Sequence, residues 1–139
     1  QLRFSDAAQK ELKVITDAVR EVLDDALDAF IQRDLEAAAK VEPLEQVIDR
    51  LKERLRTNHI LRMKKGDCSI EAGFVWSDLL TNLERVSDHC SNIAGCIIDM
   101  QHHNLNLHES LHASRTSGAA YEEAYRHFAE KYAVEEAKA

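Results

Sequence analysis

The sequence has few of the residues that interrupt helices, with four glycines and one proline among 139 residues. Because glycine and proline mark most turns, their scarcity favours a few long helices over a fold with many short strands. No apolar run approaches the roughly 18 residues that cross a bilayer, and no leader of the secretory type is present. The chain starts at Gln1 instead of methionine, so we expect a mature or excised piece, and membrane attachment in a parent protein stays open.

The sequence also has few cysteines, and its acidic residues outnumber its basic residues. The three cysteines, Cys68, Cys90 and Cys96, are odd in number and form no Cys-x-x-Cys motif. This pattern favours a reducing compartment over a disulfide scaffold or a thiolate zinc site. The formal net charge of −7 argues against nucleic acid as a partner and suits cations.

Helical spacing of apolar residues runs through the whole chain. It predicts an all-α fold, an antiparallel three-helix bundle with a short additional C-terminal helix, as a single domain over residues 1–139. We expect Ser5 to be the N-cap of the first helix. We expect Pro43 to lie in the first turn of the second helix and Gly66 to end that helix. The long helices are predicted at about 5–33, 43–65 and 69–102, and the short helix at about 118–134. The core stripe of the first helix is predicted to be Leu12, Ile15, Val19, Val22, Leu23, Ala26, Leu27 and Phe30.

Two pairs of acids have the spacing of one helical turn, Glu45 with Asp49 and Glu84 with Asp88. In a hairpin that turns between Gly66 and Asp67, Glu45 lies level with Asp88, and Asp49 lies level with Glu84. At about 100° per residue, both pairs also rotate to the same side of the helix interface. We therefore predict one patch of four carboxylates, off the core and open to solvent. Such oxygen ligands suit magnesium, manganese, calcium, iron or zinc.

A solvated acidic face is the alternative for these pairs. Asp24 and Asp28 on the first helix have the same spacing, so one pair alone indicates little. Lys52 and Arg85 could also neutralise the cluster without a metal ion. The two pairs nevertheless lie at the same level and on the same side of the helix interface. This arrangement favours a site formed by all four acids.

Two stretches of the sequence resemble the PhoU family. "ERVSDHCSNIAG" resembles the family signature, and "EPLEQVIDRLKERLRTNHILRMKKGDCSIEAG" resembles the helix and turn before it. The resemblance implies a Glu/Asp-x-x-x-Asp motif on two adjacent helices that binds multinuclear iron or zinc clusters on the bundle surface. Its positions here are Glu45, Asp49, Glu84 and Asp88. Ser87 stands where the family usually has glycine, and neither this change nor Cys90 in place of alanine removes a carboxylate.

Within that family, the "LHESLH" stretch and the aromatic last helix resemble the cytoplasmic PhoU-like domain of bacterial sodium/phosphate cotransporters. The resemblance implies a non-enzymatic regulatory domain on the cytoplasmic side of the inner membrane. It implies contact with the transmembrane transporter portion or a phosphate-signalling protein. From the resemblance and the oxygen ligands together, we expect bound iron, zinc, manganese or magnesium. Stand-alone members have two three-helix repeats and this chain has one, so one acidic cluster is expected, or a second in a homo-oligomer.

Two other functions stay open at this point. A metal-free helical adaptor would use the same acids to dock a basic partner. A di-iron enzyme would use Glu109 and His112, which match one Glu-x-x-His half-motif, but the sequence has no second half-motif. The histidines of the predicted polar connector, His102, His103, His108 and His112, either belong to a simple connector or provide a zinc site at His108 and His112.

Overall fold

The fold is a bundle of long helices. The computed structural model describes residues 2–104 and 107–138, and the side chains of residues 2–103 and 118–138. These residues form four α-helices, α1 (Asp6–Gln32), α2 (Leu35–Lys64), α3 (Ile70–Asn104) and α4 (Leu107–Lys131). Helices α1, α2 and α3 pack against one another, so the predicted all-α bundle is confirmed. None of the described helices combines the length and the apolar character needed to cross a bilayer.

The connection between α1 and α2 is only two residues long. Arg33 adopts the left-handed conformation (φ 52°) that ends α1, and the Asp34 carboxylate caps α2 by accepting from the backbone N–H groups of Glu36 and Ala37. The predicted start of α2 at Pro43 is therefore wrong, and Pro43 lies inside the helix. A strong cap followed by the good helix formers Leu-Glu-Ala-Ala-Ala-Lys outweighs the N–H that proline lacks.

The turn between α2 and α3 is a Schellman motif. Gly66 has φ 81°, its N–H donates to the Met63 carbonyl at 3.0 Å, and the Asp67 N–H donates to the Arg62 carbonyl at 3.0 Å. Only glycine adopts this backbone conformation without strain. Ser69 then caps α3 by accepting from Ala72 N–H at 3.1 Å. The predicted role of Gly66 is confirmed, and the turn fixes the register of the α2–α3 hairpin.

The core lies where the three long helices meet. Ile48, Leu55 and Leu80 have no exposed area, and Trp76 is 1% exposed. On α1 the buried face shifts towards alanine, because Ala26 and Ala29 are buried whereas Leu27 and Phe30 are 45% and 66% exposed. The predicted α1 stripe is thus wrong at Leu27 and Phe30, and also at Leu23, which is 39% exposed. Alanine lets the helix backbones approach closely, so small residues fill this part of the core.

Helix α4 runs in the same direction as α2. Arg50 of α2 lies over the ring of Tyr125, 5.0 Å from its centroid, and the chain after α4 reaches Asn58 and Lys65 farther along α2. The helix starts at Leu107, so the irregular connector predicted up to residue 117 is largely helical. Phe128 of α4 and Tyr132, which follows the helix directly, are buried. The single domain over residues 1–139 stays a prediction.

Candidate functional site

Acidic side chains from α2 and α3 collect along the seam between these two helices. The hydroxyl of Ser91 on α3 donates a hydrogen bond of 2.6 Å to the carboxylate of Glu42 on α2. Glu42 and Ser91 are equally distant along the chain from the α2–α3 turn. The same is true of Glu45 and Asp88, and of Asp49 and Glu84. The hydrogen bond therefore agrees with the register expected for the predicted quartet.

Glu45 lies at the centre of this acidic group and is only 9% exposed. The expectation of a fully open patch is wrong at this residue, whereas Asp49 and Asp88 are exposed as predicted. Burial, and then the charges of Glu42, Asp88 and Asp49, raise the pKa of Glu45 to about 7. Gln46 partly offsets this effect by donating to the Glu45 carboxylate at 3.0 Å.

Helix α4 packs along α2, on the side of the bundle where Glu45 lies. Tyr121 of α4 is close enough to sense the acidic group, since burial and then the charges of Glu42, Glu122 and Glu45 raise the pKa of its phenol. Helix α4 begins eleven residues before its predicted start, and no position beside α2 was predicted for it. A longer α4 along α2 explains why Glu45 is less exposed than expected.

Glu84 has a cationic partner within the protein. The Lys52 ammonium lies 3.0 Å from the Glu84 carboxylate, and the two side chains are only 13% and 18% exposed. Lys52 is one of the two residues that the sequence analysis named as an internal neutralising charge. Of the four predicted ligands, Glu84 is therefore paired with a lysine, whereas Asp49 and Asp88 are near enough to Glu45 for their charges to act on its carboxylate.

Carboxylate oxygens are the donors that hard cations prefer, so the chemistry of the donor set suits a metal ion. Within the described side chains, however, no group of three or more His, Cys, Asp or Glu residues is close enough to hold an ion. His89 and Asn92, which follow Asp88 on α3, are both exposed. The side chains of Glu109, His108 and His112 lie outside the described residues, so the zinc and di-iron alternatives stay predictions.

A second polar cluster, missed by the sequence analysis, lies near the α2–α3 turn. Arg62 donates to both oxygens of Glu11, at 3.0 and 2.8 Å, and Asn58 donates to Glu11 at 2.8 Å. His59 stacks on Trp76 with ring centroids 5.1 Å apart, and burial and then the Arg62 charge lower the pKa of His59.

The same cluster extends to the turn through Cys68, whose sulfur lies 3.0 Å from His59 Nε2. The guanidinium of Arg62 can only donate, so His59 Nδ1, 3.3 Å away, is the acceptor. The signal in the sequence was the spacing, because Asn58 and Arg62 continue the buried positions of Leu51 and Leu55 at helical intervals.

Comparison with known proteins gives a match over the part of the chain that holds the acidic seam. A family model described as the PhoU domain matches residues 12–97, which is more than half of the chain. No solved structure gives a match.

Two curated proteins are similar over somewhat less than two thirds of the chain. The phosphate-specific transport system accessory protein PhoU homolog 1 of Thermotoga maritima is 32% identical over 89 residues, which cover 64% of this chain and 38% of that protein. The phosphate-specific transport system accessory protein PhoU homolog of Pseudomonas putida is 33% identical over 90 residues, which cover 63% of this chain and 34% of that protein. The match thus spans little more than a third of these relatives. The chain belongs to the PhoU domain family.

Proposed function

We propose that this PhoU domain is a non-enzymatic regulatory module of phosphate transport that binds metal ions through Glu45, Asp49, Glu84 and Asp88. The accessory role is supported by family membership and by the two similar proteins, both named as accessory proteins of phosphate-specific transport systems. The metal ions expected are iron, zinc, manganese or magnesium.

The observation that carries the metal proposal is the concentration of negative charge around buried Glu45. Three carboxylates, those of Glu42, Asp49 and Asp88, oppose its ionisation. A cation bound there would offset this repulsion and join α2 to α3. Glu84 would complete the set by leaving Lys52, and this exchange of partners would couple metal binding to the shape of the seam.

The setting proposed for the domain is the cytoplasmic side of the bacterial inner membrane, as part of a sodium-dependent phosphate transporter. The support is the resemblance of the "LHESLH" stretch and the aromatic last helix to the cytoplasmic PhoU-like domains of such transporters. The partner would be the transmembrane portion of the parent protein or a phosphate-signalling protein. Regulation would act by protein contact. Metal binding would change the charge of the acidic seam, and the partner would respond to that change.

Metal content is the direct test. We would measure it in protein purified without a chelator or His-tag, beside the double variant Glu84→Ala, Asp88→Ala. The matched control is Asp24→Ala, Asp28→Ala, which removes an exposed acid pair of equal spacing on α1. We expect stoichiometric metal in the parent and the control and none in the seam variant. Absence of metal from all three, even after soaking with iron, zinc and manganese, would overturn the proposal.

The second candidate is a metal-free adaptor that docks a basic partner. The Lys52–Glu84 ion pair favours it, because a protein cation already neutralises one of the four acids. Asp49, Asp88 and Glu42 are exposed and would face the partner. An adaptor of this kind predicts a complex that forms in the presence of chelator, weakens with salt and is lost in Asp49→Asn, Asp88→Asn.

A further inference from the structure

The chain leaves α4 at Lys131 and lies against α2 as a non-helical stretch, here called the docked segment (residues 133–138). Its hydrogen bonds with Asn58 and Lys65 join the side chains of these two residues to backbone atoms of the segment. Asn58 donates from Nδ2 to the Glu135 carbonyl at 3.0 Å, and its Oδ1 accepts from the Ala137 N–H at 2.9 Å. Lys65 donates to the Lys138 carbonyl at 2.6 Å. One carboxamide thus binds a carbonyl and the N–H two residues later, a pattern that recognises main chain whatever the side chains.

The carboxamide of Asn58 is held in place by the bundle itself. Asn58 is 1% exposed, and its Nδ2 also donates to Glu11 at 2.8 Å. Glu11 in turn accepts from both terminal nitrogens of Arg62. Because these neighbours fix the amide, its orientation does not depend on the docked segment. Departure of the segment would leave the Asn58 carbonyl oxygen without its 2.9 Å donor, which favours rebinding of a backbone N–H.

The docked segment itself has little to hold it besides these backbone bonds. Glu135, Glu136 and Lys138 are exposed, and only Val134 and Ala137 are partly buried. Glu136 pairs with Arg54, but its side chain is 78% exposed, so the ion pair contributes little. Segments with small apolar burial open locally at low free energy while the core stays folded.

From this contrast between a fixed amide and a weakly held occupant, we infer that Asn58, Lys65 and Arg54 form an exchangeable peptide site. The site takes an extended segment of a partner protein through its main chain, and residues 133–138 are its intramolecular occupant. The partner segment carries a carboxylate to meet Arg54, a small residue at the position of Ala137, and an apolar residue at the position of Val134. The site lies near the α2–α3 turn and does not depend on the acidic seam.

Proline substitution in the full chain can release the docked segment without touching the core. Ala137→Pro removes the backbone N–H that donates to Asn58 Oδ1. The control Lys138→Pro keeps that N–H and also keeps the carbonyl to which Lys65 donates. Nitrogen-15 relaxation should show residues 133–136 as ordered in the parent and in Lys138→Pro, and as flexible in Ala137→Pro. A segment that stays ordered in Ala137→Pro would overturn the inference.

Binding in trans is the second part of the test. A labelled peptide with the sequence of residues 133–138, AVEEAK, is titrated into each full-length protein and followed by fluorescence anisotropy. Release of the competing segment should tighten peptide binding by about tenfold or more in Ala137→Pro relative to Lys138→Pro. A peptide with lysine in place of Glu136 should bind more weakly. Equal binding to both proteins would overturn the inference.

Two further readouts complete the test. Should Ala137→Pro lose its helical circular dichroism, Glu136→Arg takes its place in the titration, because it replaces the ion pair with Arg54 by a repulsion between like charges and so weakens the docked segment. Size-exclusion chromatography of the parent over a range of concentrations detects exchange between copies. A dimer that disappears with Ala137→Pro would make a second copy the occupant and overturn the assignment to a partner protein.

Discussion

The ammonium group of Lys52 on α2 lies 3.0 Å from the carboxylate of Glu84 on α3, with 13% and 18% of the two side chains exposed. The pair bridges the helices within the acidic seam. Its shielding from water makes it stronger than an ordinary surface ion pair. Any cation that recruits Glu84 must therefore compete with Lys52.

Replacement of Lys52 by methionine should strengthen metal binding, because Glu84 is then free to join the other carboxylates. We expect the dissociation constant for Mn²⁺ to fall about tenfold, which corresponds to ~1.4 kcal/mol. Isothermal titration of chelator-treated protein measures it. Lys13→Met, which removes an exposed cation paired with Asp17 on α1, is the control. Unchanged or weaker binding in Lys52→Met would argue against a metal role for Glu84.

The stability of the metal-free protein should depend on pH through Glu45. Burial and the neighbouring acids raise the pKa of Glu45 from 4.5 to about 7, so the folded protein keeps a proton that the unfolded chain has lost. The free energy of unfolding should therefore fall as the pH rises from 4.5 to 7, by up to about 3 kcal/mol. Urea unfolding across this range, with chelator present, provides the measurement.

Glu45→Gln should flatten this part of the pH profile, because glutamine stays neutral throughout. Glu123→Gln changes an exposed glutamate on α4 and should keep the slope of the parent. A Glu45→Gln profile as steep as that of the parent would assign the effect to other groups.

The buried pair of Glu11 and Arg62 should be costly to break from one side. Both side chains are 10% exposed, so Arg62→Met leaves a buried carboxylate without its cation and should destabilise the fold by about 3–5 kcal/mol. The double variant Glu11→Leu, Arg62→Met should recover much of this loss. Chemical denaturation of both measures the difference. The Arg62 guanidinium also lies over the Trp76 ring, 5.5 Å from its centroid. A double variant as unstable as the single one would attribute the loss of stability to this contact.

Replacement by alanine should change the free energy of unfolding in opposite directions at Gly66, in the turn, and at Gly95, inside α3. Gly66 has φ 81°, so Gly66→Ala should lower the free energy of unfolding by about 1–2 kcal/mol. Gly95 lies within α3, where an added Cβ meets no atom within 4 Å, so Gly95→Ala should raise it by about 0.5–1 kcal/mol. Thermal melts of the two variants suffice. Destabilisation by Gly95→Ala would indicate a contact that the described residues do not make.

The features that the sequence predicted well are those set by local chemistry. Ser5 caps α1 and Gly66 ends α2 as expected, because capping and left-handed turns depend on a few neighbouring residues. The facing of Glu45 and Asp88 followed from the turn alone, since a fixed turn sets the register of a hairpin. The Ser91–Glu42 hydrogen bond agrees with that register.

The features that the sequence did not predict depend on other parts of the chain. Phe30 was expected in the core on hydrophobicity, but neighbouring Ala29 is the buried residue, because the short Arg33–Asp34 corner brings the helix backbones close together. Pro43 was taken as a helix start, and the Asp34 cap overrode it. Burial of Glu45 required knowledge of where α4 packs, which no periodicity within α2 contains.

Trp76 is the single tryptophan of the protein, and it lies between the ring of His59 and the edge of Phe4, with its indole N–H donating to the Leu55 carbonyl at 3.3 Å. The three tyrosines lie on α4 or directly after it. The chromophores are therefore divided between two parts of the molecule. Indole emission follows the separation of α2 from α3, and tyrosine signals follow the detachment of α4. Two-wavelength spectroscopy of the unmodified protein can thus time these two events separately.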